Sequence, residues 1–251
     1  MIPFFSIIIP IYNCEQTLGD TLESILKQSF DDYEVIIIND CSTDGSLDVL
    51  TKYIDKFKNN IRIINNEINL GVAKTRNKGF ELAKGKYIAL LDSDDTWDSN
   101  KLAIQKKCID DTHCDICCTS YDFINSKGDS IKKPYIIPNK IDYCTLLKEN
   151  LIGCSTVVVR RDLLNAESMN YKYYHEDYAL WLDLIRSGAY VVSIPDILMH
   201  YRILEDSRSY NKMQSASNRF KIYIEQERLG IFKAVFYFFC YAINGFKKKL
   251  L

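Results

Sequence analysis

The stretch Tyr87-Ile88-Ala89-Leu90-Leu91-Asp92-Ser93-Asp94-Asp95-Thr96-Trp97 decides the fold. Its first five residues form an apolar run, as expected of a strand buried on both faces of a sheet. Three carboxylates follow within four residues. A strand that ends directly in polar chemistry is characteristic of open α/β sheets, which bind ligands at the C-terminal ends of their strands.

Upstream of this stretch the same alternation repeats. Residues 6–11 and 33–38 are β-branched runs that read as buried strands, and 61–64 reads as a third. Between them, 17–28 carries Leu18, Leu22, Ile25 and Leu26 at helical spacing, and 46–57 carries Leu47, Leu50 and Ile54. Residues 71–83 form a further helix, stopped by Gly85. The order β-α-β-α-β-α-β predicts an α/β fold with a doubly wound, mostly parallel central sheet flanked by helices and joined by right-handed crossovers. Beyond Trp97 the pattern loosens. Helices are expected over 101–110, 145–150 and 178–187, strands over 115–123, 155–160 and 191–194, and a polar, proline-containing loop over 128–140.

With 251 residues, 47% hydrophobic and 26% charged, the chain can bury one sizeable core. Its formal net charge of −1 argues against nucleic acid as a partner, which would call for a basic excess. Nine cysteines, an odd number, and an N-terminus without a basic region point to a reducing, cytoplasmic setting rather than a secreted disulfide framework. Cys114-x-x-Cys117-Cys118 lacks a second cysteine pair at matching spacing and falls on an expected strand, so core thiols are expected there rather than zinc.

Three close carboxylates repel one another unless something positive lies between them. Mg²⁺ or Mn²⁺, held by one or two carboxylates and substrate phosphates, would explain Asp92, Asp94 and Asp95; a structural turn is the alternative. Asp40, at the end of the second strand, is placed to bind a base or ribose, or else to cap a helix near Ser46, for which Asp44 is the better candidate. Glu176-Asp177 precedes an apolar helix and could serve its N-terminal dipole or a reaction. His200 reads equally as a metal contact or a strand-end histidine. Trp97, beside the acidic run, is the better placed of the two tryptophans to face a sugar, although both residues are more often core.

The ordered segments Ser6-Ile7-Ile8-Ile9-Pro10-Ile11-Tyr12-Asn13, Ile38-Asn39-Asp40-Cys41-Ser42-Thr43-Asp44-Gly45, Asn69-Leu70-Gly71-Val72-Ala73-Lys74-Thr75-Arg76-Asn77, the acidic run, His175-Glu176-Asp177-Tyr178 and Tyr201-Arg202 resemble the inverting family 2 glycosyltransferases of GT-A fold. The likeness spans roughly residues 4 to 209. It departs from the family only slightly, with Thr75 where alanine is usual. The resemblance implies transfer of a hexose-type sugar from a UDP-sugar donor to a hydroxyl of a glycan acceptor, in surface polysaccharide or glycoconjugate synthesis; the aromatic and basic C-terminus adds the expectation that this acceptor is lipid-linked. It implies that Pro10, Tyr12, Asn13 and Glu15 line the base and ribose pocket and that Asp40 binds the uracil edge. Lys74 and Arg76 would approach the base or phosphates. Asp92 would face the ribose, with Ser93 in the same donor site, and Asp95 the donor sugar. Asp94 would hold Mn²⁺ or Mg²⁺, with His200 as a further ligand. Asp177 would be the general base, with Glu176 beside it. Arg202, Ser207 and Ser209 would close over the diphosphate. A nucleotidyltransferase of related fold would show a glycine-rich basic loop after the first strand, where this chain has Tyr12-Asn13-Cys14-Glu15. A dehydrogenase would need G-x-G-x-x-G there. A catalytically inactive nucleotide-sugar-binding module is the remaining alternative.

These expectations divide the chain into a glycosyltransferase domain over 1–215, with a donor half over 1–110 and an acceptor half over 111–215, and a helical segment over 216–251. In that segment 229–246 is aromatic-rich and Lys247-Lys248-Lys249 follows, a pattern that suits a packed helix, peripheral contact with the inner face of a membrane or an oligomer contact.

Overall fold

A computed structural model describes residues 2–57, 60–204 and 212–250. Strands β1 (Phe5–Ile11), β2 (Tyr33–Asn39), β3 (Ile61–Asn65) and β4 (Tyr87–Leu90) alternate with helices α1 (Leu18–Leu26), α2 (Ser46–Thr51) and α3 (Val72–Leu82). β5 (Thr96–Trp97), α4 (Lys101–Thr112), β6 (Ile116–Ile124), β7 (Ser130–Tyr135), α5 (Tyr143–Lys148), β8 (Val158–Arg160), α6 (Glu176–Arg186) and β9 (Val191–Arg202) follow. α7 (Lys212–Lys221) and α8 (Ile231–Leu250) close the chain.

The sheet runs β3-β2-β1-β4-β8-β6-β9-β5, with β7 on β6. β1 pairs in parallel with both β2 and β4, and β2 with β3. The parallel half therefore covers the region where strand and helix alternate strictly. Past β4 the sheet is mixed, because β8 runs antiparallel to β4 and β6, while β9 runs parallel to β6.

Period-two alternation divides the core between two faces. Ile8, Ile36, Ile38, Ile88 and Leu90 pack toward α3 and α6, in one cluster with Phe80 and Trp181. Ile7, Ile9, Val35, Ile37, Ala89 and Leu91 pack toward α1, α2 and α4, with Leu18, Leu22, Leu50 and Leu102. Each aliphatic side chain fully buried in this way contributes roughly 1.5–3 kcal/mol. Gly79 lets α3 approach the sheet closely, since a Cβ there would lie 2.5 Å from a methyl of Ile8.

Several elements differ from the sequence expectation, among them the strand expected over 155–160, which is a 3₁₀ turn over Cys154–Thr156 followed by the short β8. The helix expected over 46–57 stops at Thr51 and resumes as a short 3₁₀ turn over Ile54–Phe57. The polar loop expected over 128–140 contains β7, an exposed edge strand; Pro134 is tolerated because β7 pairs with β6 alone. The strand expected to end at Pro195 continues to Arg202. Its register against β6 shifts between Thr119 and Ser120, where Ile194 and then Ile197 are the partners, so a bulge absorbs the proline.

The C-terminal segment packs on the rest of the chain. Ile222, Tyr223 and Ala234 lie in the same cluster as Ile8 and Trp181. The guanidinium of Arg219 lies 3.5 Å from the ring centre of Tyr178 and 4.4 Å from that of Tyr241, linking α7 to α6 and α8. The outer face of α8 is apolar and exposed, with Phe232, Val235, Phe236, Phe239 and Ile243 at helical spacing. No helix among the described residues is long and apolar enough to cross a membrane.

Candidate active site

The parallel strands end at one edge of the sheet, and the expected site residues gather there. The acidic run leaves β4 in a turn closed by Asp95 N–H donating to the Asp92 carbonyl at 3.2 Å. Hydroxyls from α1 hold it: Thr17 and Thr21 donate to the Ser93 carbonyl at 2.9 and 3.0 Å, and Thr21 also to that of Asp95 at 2.9 Å. Ser155 accepts from the Asp92 N–H at 3.0 Å. Asp95 is fully buried and accepts from the Arg202 N–H at 3.1 Å. Burial, and then the charges of Asp94 and Asp92, raise the Asp95 carboxyl well above the usual range. Asp94 is only partly buried, yet burial and the Asp92 charge push it up to about 6.

Carboxylates raised by mutual repulsion gain from a cation, and their hard oxygens suit Mg²⁺ or Mn²⁺. The acidic run does not provide three converging ligands: among the described residues, only Cys108, Cys114 and Cys117 form such a group. A divalent ion at Asp94 therefore fits the mode in which substrate phosphates complete the shell. His200 stands opposite Thr96 on the neighbouring strand. Its Nδ1 lies 2.6 Å from Asp122 Oδ1, a pairing that orients the ring and leaves Nε2 for another partner.

Arg202 has a different place from the one expected. Its side chain is fully buried; Nε donates to the Asp94 carbonyl at 2.9 Å and the remaining nitrogens to Asn125 and Ser126 carbonyls and the Asp20 carboxylate. These bonds fix the acidic turn from behind and direct the fork away from the open side. Ser207 and Ser209 lie outside the described residues. Trp97 is buried, donates from Nε1 to the Ser155 carbonyl at 2.8 Å, and carries Lys101 at 4.0 Å from its ring; it is core and not a sugar platform. Trp181 is likewise buried in the core.

After β1 and β2 the chain turns through left-handed backbone. Asn13 and Cys41 have left-handed φ values of 47° and 63°. Asn13 accepts from the Thr43 N–H at 2.8 Å, and Tyr12 is exposed beside it. Glu15 accepts from the Gly45 N–H at 2.7 Å, and Asp44 receives the N–H groups of Glu15 and Ser46 at 3.0 Å each. Asp44 thus holds the start of α2, as its position suggested. Asp40 is buried and accepts from Asn66, Leu70 N–H and Gly71 N–H, each at 2.8 Å. Its immediate job is to hold the loop that enters α3, a helix start the sequence reading had not paired with it. Lys74, exposed on α3, lies over the Tyr171 ring at 4.4 Å.

One side chain joins the two halves of the site. Arg76 is buried and pairs with Asp92 on one arm and with Glu176 at 2.8 Å on the other. Burial disfavours its charge, but Asp92, Glu176 and neighbouring anions outweigh that and keep it ionised. Asp177 follows at the first turn of α6, partly exposed, with one oxygen on the Tyr178 N–H at 2.7 Å. Burial and the Glu176 charge push its carboxyl up to about 6.

The sequence reading missed Thr17, Thr21, Asp20 and Asp122. The first three were legible only as polar positions on an otherwise apolar helix, and Asp122 only as an acid within an expected strand.

Residues 6–167 match the family model described as glycosyl transferase family 2. The chain belongs to glycosyl transferase family 2. Membership of family 2 is supported by TuaG, a glycosyltransferase of Bacillus subtilis (strain 168), which is 37% identical over 248 residues, covering 99% of this chain and 98% of TuaG. WfgD of Escherichia coli, a UDP-Glc:alpha-D-GlcNAc-diphosphoundecaprenol beta-1,3-glucosyltransferase, is 33% identical over 249 residues, covering 97% of this chain and 94% of WfgD. Staphylococcus aureus TarS 1–349, solved with UDP-GlcNAc, superposes with a TM-score of 0.73 at 22% identity. That match covers 87% of this chain, which spans 64% of the TarS fragment. The mannosyltransferase PcManGT of Pyrobaculum calidifontis, solved with GDP-Man and Mn²⁺, gives 0.69 at 16% identity, covering 92% and 66% of the two chains. The fold of this family 2 chain is GT-A, as expected, and the enzyme is a glycosyltransferase.

Proposed function

We propose that the chain is an inverting, metal-dependent hexosyltransferase that moves a sugar from a UDP-sugar to a hydroxyl of a lipid-linked glycan, in polysaccharide or glycoconjugate synthesis. The observation that carries this reading is the Asp92–Arg76–Glu176 bridge, which fixes the acidic turn and the first turn of α6 on one open edge. Tyr12, Asn13 and Pro10 form the exposed wall for the nucleoside, framed by Asp40 and Glu15, with Lys74 and Arg76 at its far side. Asp92, Ser93 and Asp95 shape the donor side. Asp94, with His200 Nε2 within the same edge, would hold Mn²⁺ or Mg²⁺; when bound, the ion supplies charge neutralisation at the diphosphate. Arg202 acts by holding this turn.

Asp177 takes the proton of the acceptor hydroxyl as that oxygen forms its bond to the anomeric carbon. The bond from that carbon to the UDP oxygen breaks, and the electron pair leaves with the diphosphate. A carboxyl near 6 is ionised at neutral pH and still basic enough to accept a developing proton. Attack on the face opposite UDP inverts the centre. Two observations favour a lipid-linked acceptor presented at the cytoplasmic membrane face: the acceptor in the name of WfgD, and the exposed apolar stripe of α8 followed by Lys247, Lys248 and Lys249 in sequence.

A panel of UDP- and GDP-sugars, each with and without Mn²⁺, tests the reading by calorimetry and donor hydrolysis. Metal-dependent binding of a UDP-hexose is expected. Binding of no nucleotide sugar, or binding indifferent to metal, would refute it.

A further inference from the structure

The last turn of α4, the left-handed His113 that ends it, and the start of β6 bring three thiols together away from the acidic edge. Cys108 comes from the helix, Cys114 from the connection and Cys117 from the strand. Their sulfur atoms all lie within 4.8 Å of one another. Cys114 and Cys117 are fully buried, and Cys108 is partly exposed, so the group has one opening to solvent. Cys118 takes no part, because strand alternation turns it into the opposite core layer.

We propose that Cys108, Cys114 and Cys117 form a binding site for a thiophilic d¹⁰ cation such as Zn²⁺, with the fourth position open at Cys108. Three sulfurs bound to zinc at about 2.3 Å stand roughly 4 Å apart, so the observed spacing closes onto an ion with small side-chain movements. Soft thiolates select zinc or copper(I) and reject the hard ions suited to Asp94. On binding, each thiol releases its proton to solvent and its sulfur lone pair forms the bond to the metal; no oxidant is needed. The ion would pin the C-terminal end of α4 to β6, and α4 also supplies Leu102 and Lys101 beneath Trp97.

The test titrates reduced, full-length, metal-free protein with Cd²⁺ and follows the ultraviolet thiolate-to-cadmium charge-transfer band. One equivalent is expected to saturate it, Zn²⁺ to displace it and Mn²⁺ to leave it unchanged. Cys108→Ser, the change least disruptive to the core, is expected to lose the band while keeping its circular dichroism; Cys144→Ser and Asp94→Asn are expected to retain it. Absence of a saturable band in the wild-type protein, or a band unchanged in Cys108→Ser, overturns the proposal. If Cys108→Ser fails to fold, native mass spectrometry of the wild-type protein decides: one retained Zn²⁺ that survives Asp94→Asn supports the site, and none refutes it.

Discussion

On the mechanism proposed above, the raised proton affinity of Asp177 sets the pH at which transfer begins to fail. The base works only when ionised, so kcat/KM is expected to fall as pH drops through about 6 and to level off above it. A pH–rate profile flat from 5 to about 8 would remove Asp177 from the role. Asp177→Asn keeps the shape and loses the base; transfer is expected to drop roughly 10²–10⁴-fold while donor binding by calorimetry stays within about twofold. Arg76 acts on the same carboxyl through charge, because its proximity lowers the Asp177 value. In Arg76→Met, which removes that charge, the acid limb of the profile is therefore expected to shift upward, whereas Arg76→Lys keeps the charge and is expected to hold it. In Arg76→Met the loss of a buried partner should also cost about 3–5 kcal/mol, measured by urea unfolding. At this scale the sequence was a good guide to which residues gather and a poor guide to their contacts. Asp40 lies just past the end of β2, as expected, whereas Arg202, expected to close over the diphosphate, ends β9. What no spacing reveals is that a buried carboxylate accepts three hydrogen bonds that hold a loop, or that an arginine fork faces backward.

Among the elements, β4 with its acidic turn was legible because a continuous apolar run has one reading when it is short and ends in charge. β7 and the second half of β9 were not, since prolines and exposed polar residues mimic a loop until a neighbouring strand supplies the hydrogen bonds. α4 brings a testable oddity. Lys101 is fully buried, donates to Gln105 at 2.7 Å, and burial pulls its ammonium down to about 7. An unfolded lysine titrates near 10.4, so between about 7 and 10 the unfolded chain holds the extra proton. That term makes stability rise with pH across this window. Lys101→Met is expected to be more stable at pH 7 and to flatten the rise, as read from thermal melts at pH 7 and about 9. A steeper rise in the variant would contradict it.

For the whole molecule, the two core layers follow from strand alternation, which is why the parallel half could be read ahead of the structure. The mixed half depends on long-range pairing that carries no local signal. The same holds for α8, whose aromatic composition suited a packed helix and a membrane contact equally; its inner face packs, through Ala234, and its outer face is exposed. Because the inner face is core, deleting the helix would confound binding with unfolding. Substituting Phe232, Phe236 and Phe239 together by serine is the cleaner change. The variant is expected to lose sedimentation with anionic liposomes while keeping its melting temperature within a few degrees. Equal sedimentation of both proteins would place the acceptor contact elsewhere.

The Arg76 bridge also bears on how such enzymes can be recombined. Acceptor choice would be exchanged most simply by grafting the segment that carries α6 from one relative into another. In this chain that graft brings its own counterion for an arginine rooted in α3 of the recipient. A grafted segment without an acid at the Glu176 position would leave one arm of a buried arginine without its partner and Asp92 alone to balance it, and the chimera would lose stability before its specificity could be assayed. The compatible crossover partners are therefore those that keep both ends of the bridge, whatever their sugars.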